Sequence, residues 1–510
     1  MGVMKIAYLV LDLFVMFNSI FFIPKPANPN QDSSAFDRNN FPVNFTFGVS
    51  SSAYQFEGAY KEDGRGLSIW DTYTHRYPER ITDGRNGDVA VDQYHHYKED
   101  VALVKDTGFD AYRLSISWPR VLPSGKLSGG VNKKGIEYYN NLIDELLSKG
   151  LQPYVAIFHW DVPQRIEDEY GGFLSSRIVE DFKDYADLCY REFGDRVKHW
   201  ITINEPSIFS TLQYDFGTLG SGCFKSTGTC IPANSATIPY VLAHNQLLAH
   251  AAAVKLYREK YQSDQKGKIG LSLLANWYMP LSRGKADEDA AQRGNDFNFG
   301  WFMDPVTYGE YPKSMQSLCG DRLPKFTRLQ SDTLKGSYDF VGLNYYTAFY
   351  AANSVKSPDA QQNYHADCRC SVSEDKNGGP LGPKPNSWWP LLHPRGILDI
   401  LRYTKEKYNN PTVYITENGI AGYRNSSQSL EEVLEDPLRI DYHRRHLSFV
   451  LRAIDEGIDL KGYFAWSLLD AFEWFQGYNT PYGLNYVDLK TMKRYPKQSS
   501  IWFKKFLKKH

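Results

Sequence analysis

Short runs of apolar and β-branched residues alternate with longer amphipathic stretches along most of the chain. Stretches such as 134–148, 176–193 and 238–261 carry apolar residues at three- and four-residue spacing, as helices that bury one face do. Eight of the short runs have the length and the bounding residues of β-strands: 45–49, 110–117, 152–159, 198–203, 268–274, 338–345, 412–416 and 460–466. Strands that alternate with helices in this way pair in parallel. Eight such units predict one closed (β/α)8 TIM barrel of the α/β class within residues 40–510, with elaborated loops on its C-terminal face.

An open, doubly wound sheet is the competing fold. It is disfavoured because no glycine-rich phosphate-binding turn follows the first predicted strand. Residues 353–388 are polar and rich in Gly, Pro, Asn and Asp, which predicts a long loop after the sixth strand.

The first 24 residues differ from the rest of the chain. Lys5 precedes a mostly apolar run, 6–23, which Asp12 interrupts and Pro24 follows. This pattern predicts a secretory signal peptide at 1–24 and disfavours a membrane span, with an uncleaved anchor as the alternative because the cleavage pattern is poor. Secretory entry would lead to the vacuole, apoplast or ER, with the plastid as an alternative destination. Sequons at Asn44 and Asn425 are consistent with glycosylation on that route.

The overall composition narrows the class of partner. Of the 510 residues 42% are hydrophobic and 23% charged, and the formal net charge is −1. A near-neutral chain has no electrostatic footprint for nucleic acid, or for a membrane surface once the signal is removed. The composition therefore favours a small-molecule partner and leaves a homo-oligomer open.

The six cysteines lack the spacing of a zinc site, so no metal is predicted. Cys223 and Cys230 bracket a short loop and could close a disulfide in an oxidising compartment. Cys368 and Cys370 are spaced like a metal-binding pair. With no His or Cys partners nearby, we expect free thiols there or an irregular disulfide partner.

Polar residues collect where the predicted strands end, which is the part of a (β/α)8 barrel that carries active sites. Any one of them alone is more simply explained as a structural residue. Carboxylates, amides and indoles that converge on one rim, however, are costly to bury without a function. In chain order they are Gln55, Glu57, Arg113, His159, Trp160, Asn204, Glu205, Asn344, Tyr345, Tyr346, Glu417, Asn418, Trp466, Glu473 and Trp474.

Two glutamates in this set permit glycoside cleavage. Glu205 and Glu417 end the fourth and seventh strands and can face each other across the barrel. The reaction needs a proton donor for the departing oxygen and an anion to meet the charge at the anomeric carbon. Arg113 and the Tyr346 hydroxyl would keep Glu417 ionised, whereas Glu205 could keep its proton.

The remaining polar and aromatic residues suit a hexose. Asn204 is placed to bind a 2-hydroxyl, and Trp466 offers a flat face to the C–H side of the ring. Mixed donors and acceptors for the other hydroxyls come from Gln55, His159, Glu473 and Trp474. This chemistry needs no cofactor.

Six motifs in this order resemble those of glycoside hydrolase family 1, of the plant β-glucosidase type. The resemblance extends from Phe45 to Trp502. The motifs are FGVSSSAYQFEG at 47–58, FHWDVPQ at 158–164, TINEP at 202–206, NYYT at 344–347, ITENG at 415–419 and WSLLD at 466–470.

This resemblance implies a (β/α)8 barrel and retention of anomeric configuration, with Glu205 as acid/base and Glu417 as nucleophile. Retention in turn predicts carboxyl groups about 5–5.5 Å apart. Arg113 and Asn344 would support the nucleophile, and Cys223 and Cys230 match a loop disulfide of plant members. The implied glucose-binding set is Gln55, His159, Asn204, Tyr346, Trp466, Glu473 and Trp474. Tyr482 is also expected to bind substrate. The implied apolar leaving-group cleft is formed by Leu212, Leu219, Trp389 and Phe475.

Two branches of the family fit less well. Thioglucosidases typically have Gln where this chain has Glu205. Phospho-glycosidases bind a sugar 6-phosphate in the last barrel loop, where Glu473 of this chain would repel it. Ser207 and the segment 220–223 depart from the family pattern on the leaving-group side, which leaves the aglycone open. The sequence therefore predicts hydrolysis of the O-β-glucosidic bond of a small plant metabolite. A transglucosidase and a non-catalytic glycan-binding homologue are the alternatives, and the second is disfavoured because both carboxylates are present.

Overall fold

A closed barrel of eight parallel strands forms the centre of the molecule. The structure, a computed structural model, describes residues 36–215, 236–355, 363–376, 379–383, 391–424 and 427–509. Each barrel strand pairs with the next in chain order, and the eighth pairs with the first. The eight strands, numbered first to eighth, are Thr46–Ser50, Ala111–Ser115, Gln152–Phe158, His199–Asn204, Lys268–Leu274, Phe340–Asn344, Val413–Asn418 and Leu460–Trp466. The predicted (β/α)8 barrel is thus confirmed, with strand ends that differ from the predicted ones by up to two residues.

Helices and short turns connect the strands and surround the barrel. One π-helical turn, Asp296–Gly300, joins two of the helices. The α-helices of the described residues are Ala53–Phe56, Ile69–Arg76, Gln93–Thr107, Trp118–Val121, Lys133–Ser148, Gln164–Tyr170, Ile178–Phe193, Pro206–Asp215, Ile238–Lys260, Gln262–Gln265, Lys285–Asn295, Trp301–Tyr308, Lys313–Cys319, Arg328–Leu334, Tyr364–Asp367, Arg395–Lys407, Leu430–Leu434, Pro437–Asp455 and Gln498–Phe506.

The helix Lys133–Ser148 shows how the sequence pattern becomes packing. Asn132 caps it, since the side-chain oxygen accepts a hydrogen bond from the Lys134 amide at 3.2 Å. Gly150, at φ 71°, follows the helix in the left-handed conformation that glycine adopts without strain. The buried face carries the apolar residues of the three- and four-residue pattern, Ile136, Tyr139, Leu142, Ile143 and Leu146.

Close packing fills the barrel interior away from the strand ends. Ala111, Tyr154, Ile201, Phe340, Tyr414 and Phe464 belong to one buried cluster there. Gly48 makes room for it, because a Cβ at this position would lie 2.3 Å from the Phe464 ring. This part of the barrel interior is therefore a packed core, which makes the C-terminal ends of the strands the expected place for a ligand.

A small sheet extends from the rim beyond the fifth and sixth barrel strands. Its strands are Trp277–Pro280, Ala348–Asn353 and Cys370–Ser373. Further two-stranded sheets pair Asp375–Lys376 with Gly379–Pro380 and Asn485–Asp488 with Lys493–Pro496. The described parts of the predicted long loop at 353–388 contain short elements that the sequence did not predict: the helix Tyr364–Asp367 and the strands Cys370–Ser373, Asp375–Lys376 and Gly379–Pro380.

The described cysteines differ in state. Cys368 and Cys370 are joined to each other by a disulfide, so of the two states expected there the disulfide is found and the free thiols are not. Cys189 and Cys319 are buried free thiols. Cys223 and Cys230 lie outside the described residues, as do Asn425 and the predicted signal segment 1–24, whereas Asn44 is exposed. Within the described ranges, no helix is long and apolar enough to cross a bilayer.

Candidate active site

Glu205 and Glu417 are both brought to the C-terminal rim of the barrel. Glu205 follows the last residue of the fourth strand, and Glu417 is the penultimate residue of the seventh. Both are buried, with exposed fractions of 6% and 3%. Asn344, at the end of the sixth strand, pairs in register with Glu417 and donates its side-chain amide to Oε1 of Glu205 at 2.9 Å. The predicted meeting of these residues at one rim is confirmed.

Arg113 lies at the centre of the hydrogen-bond network. The side chain is fully buried in the second strand. One guanidinium nitrogen, Nη1, donates to Glu417 Oε1 at 2.6 Å, and Nη2 donates to the Asn204 side-chain oxygen at 2.5 Å. Tyr346 donates its hydroxyl to the other oxygen of Glu417, Oε2, at 2.7 Å. Both Glu417 oxygens thus accept charge-stabilising hydrogen bonds.

The two glutamates differ in the groups that compensate their charge. Burial and, next in size, the negative charge of Glu417 raise the pKa of Glu205 to about 8, against hydrogen bonding from Asn344 and the charge of Arg113. Burial also raises the pKa of Glu417 above its ordinary value, but there Arg113 and Tyr346 both oppose the rise through direct hydrogen bonds. Glu205 is thus the glutamate that holds a proton more readily.

A less common backbone conformation fixes the orientation of Glu205. Its φ is 44°, a left-handed value that costs a non-glycine residue of order 1–3 kcal/mol. The surrounding chain holds it, since the Glu205 amide donates to the Ser272 carbonyl at 2.8 Å. Trp160, at φ 75°, donates its indole N–H to the Asn204 carbonyl at 2.9 Å. Strained residues of this kind cluster at functional sites, where the neighbouring structure determines them.

Polar groups of the predicted sugar site adjoin the two glutamates. The Asn204 amide lies 3.1 Å from Nε2 of His159, and burial lowers the pKa of this imidazole, which is therefore neutral. Gln55 donates its side-chain amide to Glu473 Oε2 at 3.2 Å. Glu473 is half-buried; burial raises its pKa well above the usual value, and the charges of Glu417 and Glu205 act in the same direction.

Aromatic residues lie beside the same polar groups. The His159 ring lies between Trp466 and Trp474, with ring centroids 6.0 Å from each and interplanar angles of 21° and 18°. Tyr482 contacts Tyr346 edge-on at 6.1 Å and shares a buried cluster with Trp466. These rings give the rim flat apolar surfaces beside the hydrogen-bonding groups.

The predicted leaving-group residues are only partly described. Phe475 is half-buried, and its ring lies 5.1 Å from Trp70 and 5.8 Å from Tyr73. Trp389 and Leu219 lie outside the described residues, as does the side chain of Leu212. Among the predicted leaving-group residues, Phe475 is therefore the one whose side chain the structure describes.

Glu57 does not join the site, although it follows the first strand. Its Oε2 accepts from Arg120 at 2.7 Å and its Oε1 accepts from the Tyr139 hydroxyl at 2.5 Å, so it forms a buried structural pair.

Thr416 is a site residue that the sequence pattern did not predict. Alternation along the seventh strand would point Thr416 away from the face of Glu417, but the register shifts between Ile415 and Glu417. Thr416 can then donate its hydroxyl to Asn344 Oδ1 at 2.6 Å, which fixes that amide.

Comparison with known proteins agrees with this geometry. The model of glycosyl hydrolase family 1 matches residues 37–510. β-Glucosidase 24 of Oryza sativa subsp. japonica is 55% identical over 473 residues, which cover 92% of this chain and 94% of that protein. An isoflavonoid 7-O-β-apiosyl-glucoside β-glycosidase of Dalbergia nigrescens is 55% identical over 474 residues, which cover 92% and 86%.

A solved structure has the same fold throughout. It is a variant of a rice β-glucosidase, determined in a covalent complex with glucose, with a TM-score of 0.89 and 47% identity. The match covers 93% of this chain and all of the rice chain. The chain belongs to glycosyl hydrolase family 1, and it is a glycoside hydrolase of the β-glucosidase type.

Proposed function

We propose that this enzyme is a retaining β-glucosidase that hydrolyses the O-β-glucosidic bond of a small plant metabolite. The observation that carries the proposal is that two adjacent buried glutamates differ in the hydrogen bonds and charges that stabilise their ionised forms. Glu417 accepts from Arg113 and Tyr346, which favours the ionised form, while Glu205 has a pKa raised to about 8 and can hold a proton. One acid and one anion beside polar and aromatic groups that suit a sugar are what glycoside cleavage requires.

In the first step Glu417 attacks the anomeric carbon while Glu205 gives its proton to the glycosidic oxygen. The bond to that oxygen breaks, the aglycone leaves as an alcohol, and an ester forms between glucose and Glu417. In the second step the Glu205 carboxylate takes a proton from water, whose oxygen attacks the anomeric carbon and releases Glu417. Two inversions give net retention, which requires carboxyl groups about 5–5.5 Å apart. Asn344 supports such proximity, because it bonds Glu205 and pairs in register with Glu417.

Substrate recognition follows from the groups around this pair. Asn204, oriented by Arg113, would hydrogen-bond the 2-hydroxyl, where contacts strengthen in the transition state. Trp466 would stack on the C–H face of the ring, and the other hydroxyls would bind Gln55, His159, Glu473, Trp474 and Tyr482. An apolar leaving group would contact Phe475 together with Leu212, Leu219 and Trp389. The rice relative, whose structure holds covalently bound glucose, supports glucose as the sugar, and the Dalbergia relative, named for an isoflavonoid glycoside, supports an apolar leaving group.

A substrate screen tests the proposal. The pure enzyme is incubated with a plant glucoside extract that contains mono- and diglycosides, and released aglycones are identified by mass. We expect release of apolar aglycones together with glucose, and none with the Glu417→Gln protein. Release of sugar phosphates or thiols in preference to alcohols would contradict it. An added acceptor alcohol separates hydrolysis from transglucosylation, because a mixture dominated by transferred glucose would replace hydrolysis as the main reaction.

The fate of the N-terminus is a separate proposal. We infer that residues 1–24 direct the chain into the secretory pathway and are then removed. N-terminal sequencing of the protein purified from plant tissue should begin after residue 24. A mature chain that starts at Met1 would contradict cleavage.

Activity should fall as the pH rises through about 8. Glu205 must carry a proton to act as the acid, and it is protonated below its folded-state pKa of about 8 and loses the proton above it. Activity should also fall at low pH, where Glu417 takes up a proton. The dependence of kcat/KM on pH for an alkyl glucoside measures both limbs. A rate that stays constant well above pH 8 would contradict Glu205 as the acid.

Removing the Tyr346 hydroxyl should lower kcat/KM by about 10- to 100-fold. A hydrogen bond to a charged group contributes about 1.5–3 kcal/mol, and Tyr346→Phe deletes the one that Glu417 Oε2 accepts. The low-pH limb should move to higher pH, because the carboxylate loses a stabilising donor. Tyr190→Phe is the matched control, since this buried hydroxyl lies outside the site and contacts the Ala253 carbonyl at 3.4 Å. Steady-state kinetics that show equal losses in both variants would contradict a specific role for Tyr346.

A further inference from the structure

A cavity of about 570 Å³ lies beside the small three-stranded sheet at the barrel rim. The sheet strands Trp277–Pro280 and Ala348–Asn353 follow the fifth and sixth barrel strands directly. The opposite wall of the cavity is the helix Arg395–Lys407. None of the predicted catalytic or glucose-binding residues lines it, so it is separate from the site of the two glutamates.

One face of the sheet is turned toward this cavity. Trp277 and Met279 are two residues apart and point to the same side, and Met279 pairs with Tyr350 across the parallel strands. The opposite face carries Tyr278, whose ring packs against Gly294 so closely that a Cβ there would lie 2.8 Å away. Trp277, Met279 and Tyr350 on the cavity side are half-buried, as is Tyr278 on the opposite face, and Trp277 also packs against the hydrophobic core.

Aromatic rings with fixed orientation form a corner of the cavity. The rings of Trp277 and Tyr403 lie 5.7 Å apart at 58°. Tyr403 is held in place through its hydroxyl, which accepts from Gln292 at 3.0 Å and from Lys407 at 3.1 Å. Immobile aromatic faces bind an apolar ring surface at little entropic cost.

The polar lining of the cavity is balanced in charge and mixed in hydrogen-bonding character. Arg395 and Arg402 are matched by Asp399 and Glu406, so neither a phosphate nor a cation is favoured. Arg395 Nε lies 3.3 Å from Asp399 Oδ2 at the helix start. His393 also lines the cavity, and its buried Nε2 has no hydrogen-bond partner within the described parts of the chain. The Arg, Asp and Glu side chains of the lining offer both donors and acceptors to a ligand.

We propose that this cavity is an accessory carbohydrate-binding site that takes a pyranose unit of a neutral oligosaccharide, with Trp277 as the stacking surface. A pyranose has a C–H face that suits Trp277 and a hydroxyl edge that suits paired Arg and Asp side chains. The volume lies within the usual range for small-ligand sites. The Tyr345 hydroxyl donates to the His393 carbonyl at 2.7 Å, so the accessory site adjoins the catalytic rim through the residue before Tyr346. This inference concerns binding without reaction and goes beyond the proposed function.

Calorimetric titration with cellotetraose tests the accessory site. The probe is titrated into the full-length Glu417→Gln protein in the presence of a saturating monosaccharide inhibitor, so that the candidate active site is occupied. We expect one remaining saturable binding event. Trp277→Ala in the same background should weaken it at least tenfold, and Arg395→Ala severalfold. Arg395 is exposed, so this second variant keeps the test valid should loss of Trp277 impair folding.

Tyr423→Ala is the matched control, because this aromatic residue is 57% exposed and lies outside the cavity. It should leave the titration unchanged, and Trp277→Ala in the wild-type background should leave hydrolysis of a small aryl glucoside unchanged. No binding beyond the inhibitor-blocked site, or binding that both cavity variants leave intact, would overturn the proposal, as would binding of anionic oligosaccharides alone. Failure of the proposed β-glucosidase function is recognised separately, as absence of glucose release by the wild-type enzyme.

Discussion

Glu417→Gln should lower kcat by about 10⁵- to 10⁶-fold, the scale on which loss of a catalytic nucleophile falls. The amide has nearly the same shape but carries no charge, so it can neither attack the anomeric carbon nor stabilise the positive charge that develops there. Arg113 would then be left without its anionic partner in a fully buried position, which adds a stability cost. Kinetics on an activated aryl β-glucoside measure the loss, and thermal unfolding measures the stability change separately.

Covalent labelling makes this prediction specific to the nucleophile. A fluorinated glucosyl inactivator should form a stable ester with Glu417 in the wild-type protein, and peptide mass mapping should place the label at that residue. Glu417→Gln should not be labelled. Glu167→Gln is the matched control, since burial raises the pKa of Glu167 to about 8 as well, but this glutamate lies outside the site. A label on another residue, with activity retained in Glu417→Gln, would refute the assignment.

Most of the site follows from the sequence because its residues occupy strand ends. Once eight strands are recognised, Asn204, Glu205, Asn344 and Glu417 must meet at one rim, and the structure confirms that they do. Strand ends are predictable because the apolar runs that fill the barrel stop where polar residues begin. A resemblance to known motifs then assigns chemistry to positions that the pattern alone only groups.

The features that could not be predicted from the sequence depend on contacts between distant segments or on small irregularities in strand pairing. Thr416 enters the site because of a register shift that alternation cannot reveal. The small sheet at the rim is another case. Trp277–Pro280 pairs with a strand some seventy residues later, and short apolar runs near a polar segment resemble loop sequence. The Cys368–Cys370 disulfide forms within a turn between a helix and a strand, where the sequence left free thiols and an irregular disulfide as alternatives.

Loss of the Glu205 proton should affect substrates according to their leaving groups. Glu205→Gln should lower kcat/KM for alkyl glucosides by roughly 10²- to 10⁴-fold, the usual contribution of general acid catalysis. Glycosylation by an activated aryl glucoside should change far less, because its leaving group departs without a proton. With such a substrate the decline in rate near pH 8 should disappear, since the group with the pKa of about 8 is gone.

The same variant separates the acid and base roles of Glu205. With an activated substrate, glucosylation of Glu417 stays fast but water is no longer deprotonated, so the glucosyl-enzyme should accumulate and appear as a burst of released phenol. A small anionic nucleophile such as azide, which needs no base, should restore turnover and yield β-glucosyl azide. Glu167→Gln again serves as the control and should show neither the burst nor the rescue. Equal losses on both substrate classes, without azide rescue, would mean that Glu205 orients Asn344 but transfers no proton.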